Sequence, residues 1–190
     1  MNTTRLEAFS DAVIAIIMTI MVLELKFPAE PNLSAVMAVM PLLAAYLLAF
    51  VNVAIYWNNH HHMLQSAHKV TGGVLWANHA LLFWLTLFPL SIRWIDEVHV
   101  TPWPVAFFGV VLVGASLAYY ALERALIAAE GEDSHIQKAL GHGFKEWSSF
   151  AGYVVSVPLA FVSPYISIAI FVGISIVWVV PDRRFARDGQ

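Results

Sequence analysis

Long apolar runs separated by short polar breaks cover nearly the whole chain, and the breaks carry most of the charge. A helix needs about 20 mostly apolar residues to cross roughly 30 Å of hydrocarbon at about 1.5 Å per residue. Six segments meet or approach that length: Ala8–Leu25, Met37–Asn58, Thr71–Ile92, Val105–Ala125, Trp147–Val162 and Tyr165–Val180. The last two are short, and Ser163-Pro164 between them predicts a tight turn, because proline disfavours helix at the residue before it. A membrane barrel would show alternating stretches of roughly ten residues, and the sequence has none. The predicted fold class is all-α, an integral membrane bundle of six transmembrane helices. No repeat or low-complexity tract interrupts it, so residues 1–190 read as a single membrane domain.

Basic residues near helix ends set the orientation. With N and C termini cytoplasmic, Arg5, Lys69, Arg124, Lys138, Lys145, Arg183, Arg184 and Arg187 lie inside, and only Lys26 and Arg93 lie outside. Residues 126–146 then form a cytoplasmic connecting loop; with Glu130, Glu132 and Asp133 it is polar and reads as a short surface helix. Residues 181–190 form a cytoplasmic tail. Trp57, Trp76, Trp94, Trp103, Trp147 and Trp178 fall near segment ends, as an interfacial aromatic belt requires. Arg5 is accompanied by Glu7, and no small-x-small cleavage site follows the first apolar run, so the first helix is expected to persist in the mature protein.

Composition narrows the class further. Hydrophobic residues make up 59% and charged residues 12% of the chain, against roughly 45–50% and about 25% in soluble domains. Mean hydropathy is +0.70. These values exclude an ordinary soluble domain and a disordered chain. The net charge of −3, without a basic patch, excludes nucleic acid as a partner and leaves the lipid bilayer. The absence of cysteine removes disulfides, thiolate metal sites and cysteine nucleophiles.

The first helix is unusual. Arg5, Phe9, Ser10 and Asp11 open it, and the twelve residues Ala12 to Leu23 follow with Thr19 as their only polar member. Twelve residues span only about 18 Å. Either the bilayer thins here, or Asp11 and Glu24 lie at membrane depth, shielded by protein. A plainer alternative makes Ser10 and Asp11 an N-cap at the headgroups. Ile16, Thr19, Ile20 and Leu23 recur at i, i+3, i+4 and i+7 and so form one stripe. Apolar rings with one hydroxyl layer suit a narrow pore, where they expel water and replace part of an ion's hydration. The same stripe also suits a helix packed on lipid, with Thr19 bonded to its own i−4 carbonyl.

Arg5-x-x-x-Phe9-Ser10-Asp11, followed by Ala12 through Thr19 and by Val22-Leu23-Glu24, resembles the start of the bacterial transmembrane protein 175 potassium channels, single-repeat relatives of a lysosomal cation channel. The likeness continues through Tyr56-Trp57-Asn58-Asn59-His60-His61-His62 and Leu75-Trp76-Ala77-Asn78-His79. The second half matches in length, helix count and hydropathy. The resemblance implies a passive, modestly potassium-selective cation channel in a bacterial plasma membrane, not an enzyme. It implies a homo-oligomer, a tetramer, whose first helices line a central pore without a Thr-Val-Gly-Tyr-Gly filter. By position against the signature, the gate falls on Ile16, further constrictions on Ile20 and Leu23, and the selectivity threonine on Thr19. No cofactor is implied beyond permeant potassium ions in the pore.

His60, His61 and His62 close the second helix. Three consecutive residues point about 100° apart on a helix and cannot all bind one ion, which argues against a metal site. In the resembling family a hydrogen-bonded network ties polar residues of the second and third helices to the signature motif. Trp57, His61, Asn78 and His79 are the residues expected to pair with Arg5, Ser10 and Asp11, since polar groups in lipid need partners. Asn52 reads as a bond to another helix, Gly109 and Gly114 as points of close helix approach, and Pro41, Pro89 and Pro158 as helix starts or kinks. Arg93, Asp96 and Glu97 read as an exposed loop. Two other classes compete with a channel. A proton- or ion-coupled secondary transporter would use Asp11, His79 and Asn52 as a relay, yet the second half lacks a counterpart of Phe9-Ser10-Asp11. A metal- or haem-dependent membrane enzyme needs converging ligands, and only two reach one level.

Overall fold

The computed structural model describes residues 3–26, 28–29, 32–131 and 144–179. Six helices carry the described residues: α1 (Thr3–Leu23), α2 (Leu33–Gln65), α3 (Gly72–Val98), α4 (Pro102–Glu130), α5 (Phe144–Leu159) and α6 (Pro164–Val179). Four of them, α1 to α4, are long and apolar enough to cross a membrane, and α6 is a shorter apolar helix. The surface helix expected within residues 126–146 falls mostly on residues 132–143, outside the described residues, as do Lys138 and the tail with Arg183, Arg184 and Arg187.

The helix ends follow local chemistry. Asn32 caps α2 by accepting the Ala35 amide at 2.8 Å, and Thr71 caps α3 by accepting that of Val74 at 3.4 Å. Pro102 occupies the first turn of α4, where its missing N–H costs nothing. His99 adopts a positive φ of 61° in the tight connection from α3 to α4. The turn predicted at Ser163-Pro164 is present, and Pro164 opens α6.

Several boundaries differ from the sequence expectation. The first helix starts at Thr3 and runs 21 residues, about 31 Å, long enough to match the hydrocarbon thickness. Ser10 and Asp11 therefore sit two turns inside the helix rather than at its cap. The second helix continues past Asn58 to Gln65, which places all three consecutive histidines on it. Arg93, Asp96 and Glu97 belong to the last turns of α3 rather than to a loop; Arg93 Nε pairs with Glu97 Oε1 at 3.0 Å one turn on. Pro41, Pro89 and Pro158 all lie inside helices.

In lipid, helices gain little from hydrophobic burial against one another; close packing and interhelical hydrogen bonds hold them. α4 is the most enclosed helix and packs on α3, α5 and α6, while α1 packs on α2 and α3. A Cβ added at Gly114 would fall within the Trp84 indole, so only glycine lets α3 and α4 meet there. Polar bonds tie the rest: Asn52 Nδ2 donates to Ser175 Oγ at 3.0 Å, Tyr56 and Ser116 hydroxyls meet at 3.0 Å, and Ser167 Oγ donates to the Ser156 carbonyl at 2.7 Å.

Candidate functional site

α1 has two faces. Leu6, Ser10, Ile14, Ile17 and Met21 are buried against α2 and α3. Ile16, Thr19, Ile20 and Leu23 lie roughly 130° around the helix at 3.6 residues per turn and are exposed. Leu23 is 78% and Ile16 57% accessible, so this chain covers neither. Thr19 Oγ1 donates to the Ile16 carbonyl at 2.9 Å, three residues back rather than four. Its proton is thereby turned inward, and the oxygen lone pairs remain for an outside donor or cation.

Beside this stripe, α1, α2 and α3 share a buried polar relay. Asn78 Nδ2 donates to Ser10 Oγ at 3.0 Å, Ser10 Oγ donates to the Leu6 carbonyl at 2.9 Å, and His60 Nε2 donates to Asn78 Oδ1 at 2.7 Å. Ser10, His60 and Asn78 are all fully enclosed. With its proton on Nε2, His60 leaves Nδ1 without a hydrogen-bond partner among the described residues. Ser10, Asn78 and the Nε2–H of His60 pair with one another, which suits a low-dielectric interior, and the unpaired Nδ1 of His60 is the remaining cost there.

A second set of contacts forms two rungs between the antiparallel helices α1 and α2. Trp57 Nε1 donates to Asp11 Oδ1 at 2.9 Å, and His61 Nδ1 lies 2.8 Å from Glu7 Oε1. Asp11 follows Glu7, and His61 follows Trp57, by four residues, so each pair shares a helix face and the rungs stack. The Trp57 and His61 rings are themselves stacked, 5.7 Å between centroids. These rungs are only partly enclosed.

Ser10 thus meets Asn78, and Asp11 meets Trp57. His61 does not join Ser10 or Asp11; it faces Glu7, and His60 takes the buried position instead. His79 Nδ1 bonds the Leu75 carbonyl of its own helix at 2.6 Å, and its ring lies 5.7 Å from that of Phe9. Arg5 is exposed and makes no hydrogen bond or ion pair among the described residues. Sequence reasoning missed His60 and Glu7. The signal was present: Ala49, Val53, His60 and Leu64 recur at i, i+4, i+11 and i+15, which keeps them on one buried face once α2 is extended to Gln65.

The fold and its apolar spans define an all-helical integral membrane protein. The family described as the endosomal/lysosomal potassium channel TMEM175 matches residues 5–89. A potassium channel of Chryseobacterium sp. is 44% identical over 188 residues, which span 99% of this chain and 98% of that one. A potassium channel of Chamaesiphon minutus is 25% identical over 183 residues, 89% of each chain. The crystal structure of a homologue of the lysosomal potassium-selective channel TMEM175 from Chamaesiphon minutus shares the fold with a TM-score of 0.82 at 22% identity, covering 94% of this chain and 96% of that one. The chain belongs to the TMEM175 family.

Proposed function

We propose that this chain is one subunit of a passive potassium channel in a bacterial plasma membrane. Four copies gather with their α1 helices around a shared axis, and both termini lie in the cytoplasm. Residues 1–190 act as a single channel domain. Ile16 forms the gate, Ile20 and Leu23 further constrictions, and Thr19 the layer that favours potassium. Potassium is the permeant ion rather than a cofactor, and the subunit conducts without converting a substrate.

One observation carries this reading. The stripe of Ile16, Thr19, Ile20 and Leu23 is uncovered by its own chain, while the partly exposed rungs Asp11–Trp57 and Glu7–His61 flank the same helix. Lipid solvates the stripe but not the carboxylates, which need water or protein around them. A ring of identical subunits supplies both, since closed symmetric assemblies are the common oligomers of identical chains. The relatives named potassium channels supply the ion.

Permeation follows from the side chains. An apolar ring of Ile16 dewets when narrow and conducts when it widens. Thr19, with its proton directed to the Ile16 carbonyl, presents oxygen lone pairs to a partly dehydrated cation. Potassium sheds water at less cost than sodium, so discrimination is modest in a field of hydroxyls alone. Phe9, Ser10, Asp11, Trp57, Asn78 and His79, with His61 at the edge, hold α1 in place for this role, and Arg5, without a partner among the described residues, stands at the start of the helix. The test is potassium flux in liposomes together with the mass of the purified assembly. Flux that does not saturate and ignores an opposing proton gradient, from particles of four chains, is expected. Saturable exchange coupled to protons, or a solitary chain, overturns the reading.

A further inference from the structure

A cavity of about 500 Å³, partly open to its surroundings, lies between α2, α4, α5 and α6 and uses no residue of α1. This volume is in the range of small-molecule sites, about 300–1,000 Å³. Its wall combines aromatic faces with carboxylates. Tyr56, Tyr119, Tyr153 and Trp178 line it, together with Glu123 and Glu146.

Several polar groups on the wall are paired within the chain. Tyr56 meets Ser116, Trp178 Nε1 donates to Ser149 Oγ at 2.9 Å, and Asn52 donates to Ser175. The two carboxylates are different. Glu123 is only 7% accessible and makes no hydrogen bond or ion pair among the described residues. Glu146 Oε2 is buried with no hydrogen-bond partner among the described residues. Arg124 also lines the cavity but is exposed, and Lys145 Nζ stands 4.5 Å over the Trp178 ring without lining the space. Counting Glu123, Glu146 and Arg124, acids exceed bases on the wall by one.

A buried carboxylate oxygen without a donor, as at Glu146, is costly, and an aromatic wall attracts cations through the negative faces of its rings. We propose that this cavity binds an amphipathic organic monocation, a small ammonium bearing an aromatic or short alkyl group. The ammonium sits between Glu123 and Glu146, and the apolar part packs on the tyrosine and tryptophan rings. The site is separate from the proposed pore, so there is one per subunit rather than one per assembly.

The probe is benzyltrimethylammonium, titrated calorimetrically into the purified full-length assembly in lipid nanodiscs. Its neutral carbon isostere, neopentylbenzene, serves as competitor. Saturable binding at one cation per subunit is expected, with no displacement by the isostere. Glu123→Gln and Glu146→Gln should each weaken it by about tenfold or more, since each removes a charge partner from an enclosed cation. Glu146→Asp, which keeps the charge, should stay within about threefold of wild type, and Ile16→Asn should leave binding unchanged. Glu146 is partly accessible, so its variants remain informative even if Glu123→Gln fails to fold. Three results overturn the proposal: no saturable binding, as expected if protons alone satisfy the carboxylates; equal competition by the isostere; or one cation per assembly. The readout is binding, so a failure here is distinguishable from a failure of the channel reading.

Discussion

Ile14 and Ile16 stand two residues apart on α1 and carry identical side chains, yet Ile14 is 1% accessible and Ile16 57%. Replacing each with asparagine should separate stability from gating. At Ile14 the new amide is pressed between α1 and its neighbours with no partner arranged for it. Burying an unpaired amide costs about 1–3 kcal/mol in proteins, and the lost branched methyls add about 1 kcal/mol of packing. A total of about 2–4 kcal/mol lowers the folded-to-unfolded ratio roughly 30-fold or more. At Ile16 the amide faces the proposed pore, so folding should be little changed while the ring wets more readily. Each fall of roughly 1.4 kcal/mol in the wetting barrier corresponds to about tenfold in conducting fraction. Heating the purified assemblies and measuring the fraction retained by size exclusion reads the first effect. Potassium flux in liposomes, normalised to assembled protein, reads the second. Ile14→Asn should lose assembly at lower temperature, and Ile16→Asn should keep it and conduct more. An Ile16→Asn channel that assembles normally with unaltered flux removes Ile16 from the gate; greater damage at Ile16 than at Ile14 refutes the assignment of the two faces.

Thr19→Ala should lower potassium-over-sodium preference without loss of assembly, read as a shift in reversal potential in mixed salt; an unchanged potential takes Thr19 out of selectivity. Asn78→Ala should destabilise the subunit by about 1–3 kcal/mol because the enclosed Nε2–H of His60 loses its acceptor. In the Asn78→Ala, His60→Leu double variant most of that loss should be recovered, whereas additive losses in thermal denaturation would show the two side chains to be uncoupled. Gly114→Ala should destabilise the α3–α4 contact by about 1–3 kcal/mol, since its methyl overlaps the Trp84 ring; combining it with Trp84→Leu should restore heat resistance if the clash is the cause.

Hydrophobic length and period determined the membrane class and the six helices of the described residues, because backbone in lipid must bond within its own segment, and Pro164 marked the turn that ends at Ser163. The Ile16, Thr19, Ile20 and Leu23 stripe was equally legible, since angular position on a helix depends on residue number alone. Helix ends were not legible: hydropathy stops at the membrane edge, whereas α2 runs on through three histidines to Gln65 because its backbone bonds continue there. The pairing of polar groups also needed the packed structure. A histidine run in sequence offers three equal imidazoles, and only the rotation of α2 against α1 and α3 puts His60 on Asn78 and leaves His61 to Glu7. The same holds for the carboxylate-lined cavity, whose walls come from helices far apart in the chain. Sequence order sets which face of a helix a residue occupies; which other helix that face meets is decided by how all the helices fit together.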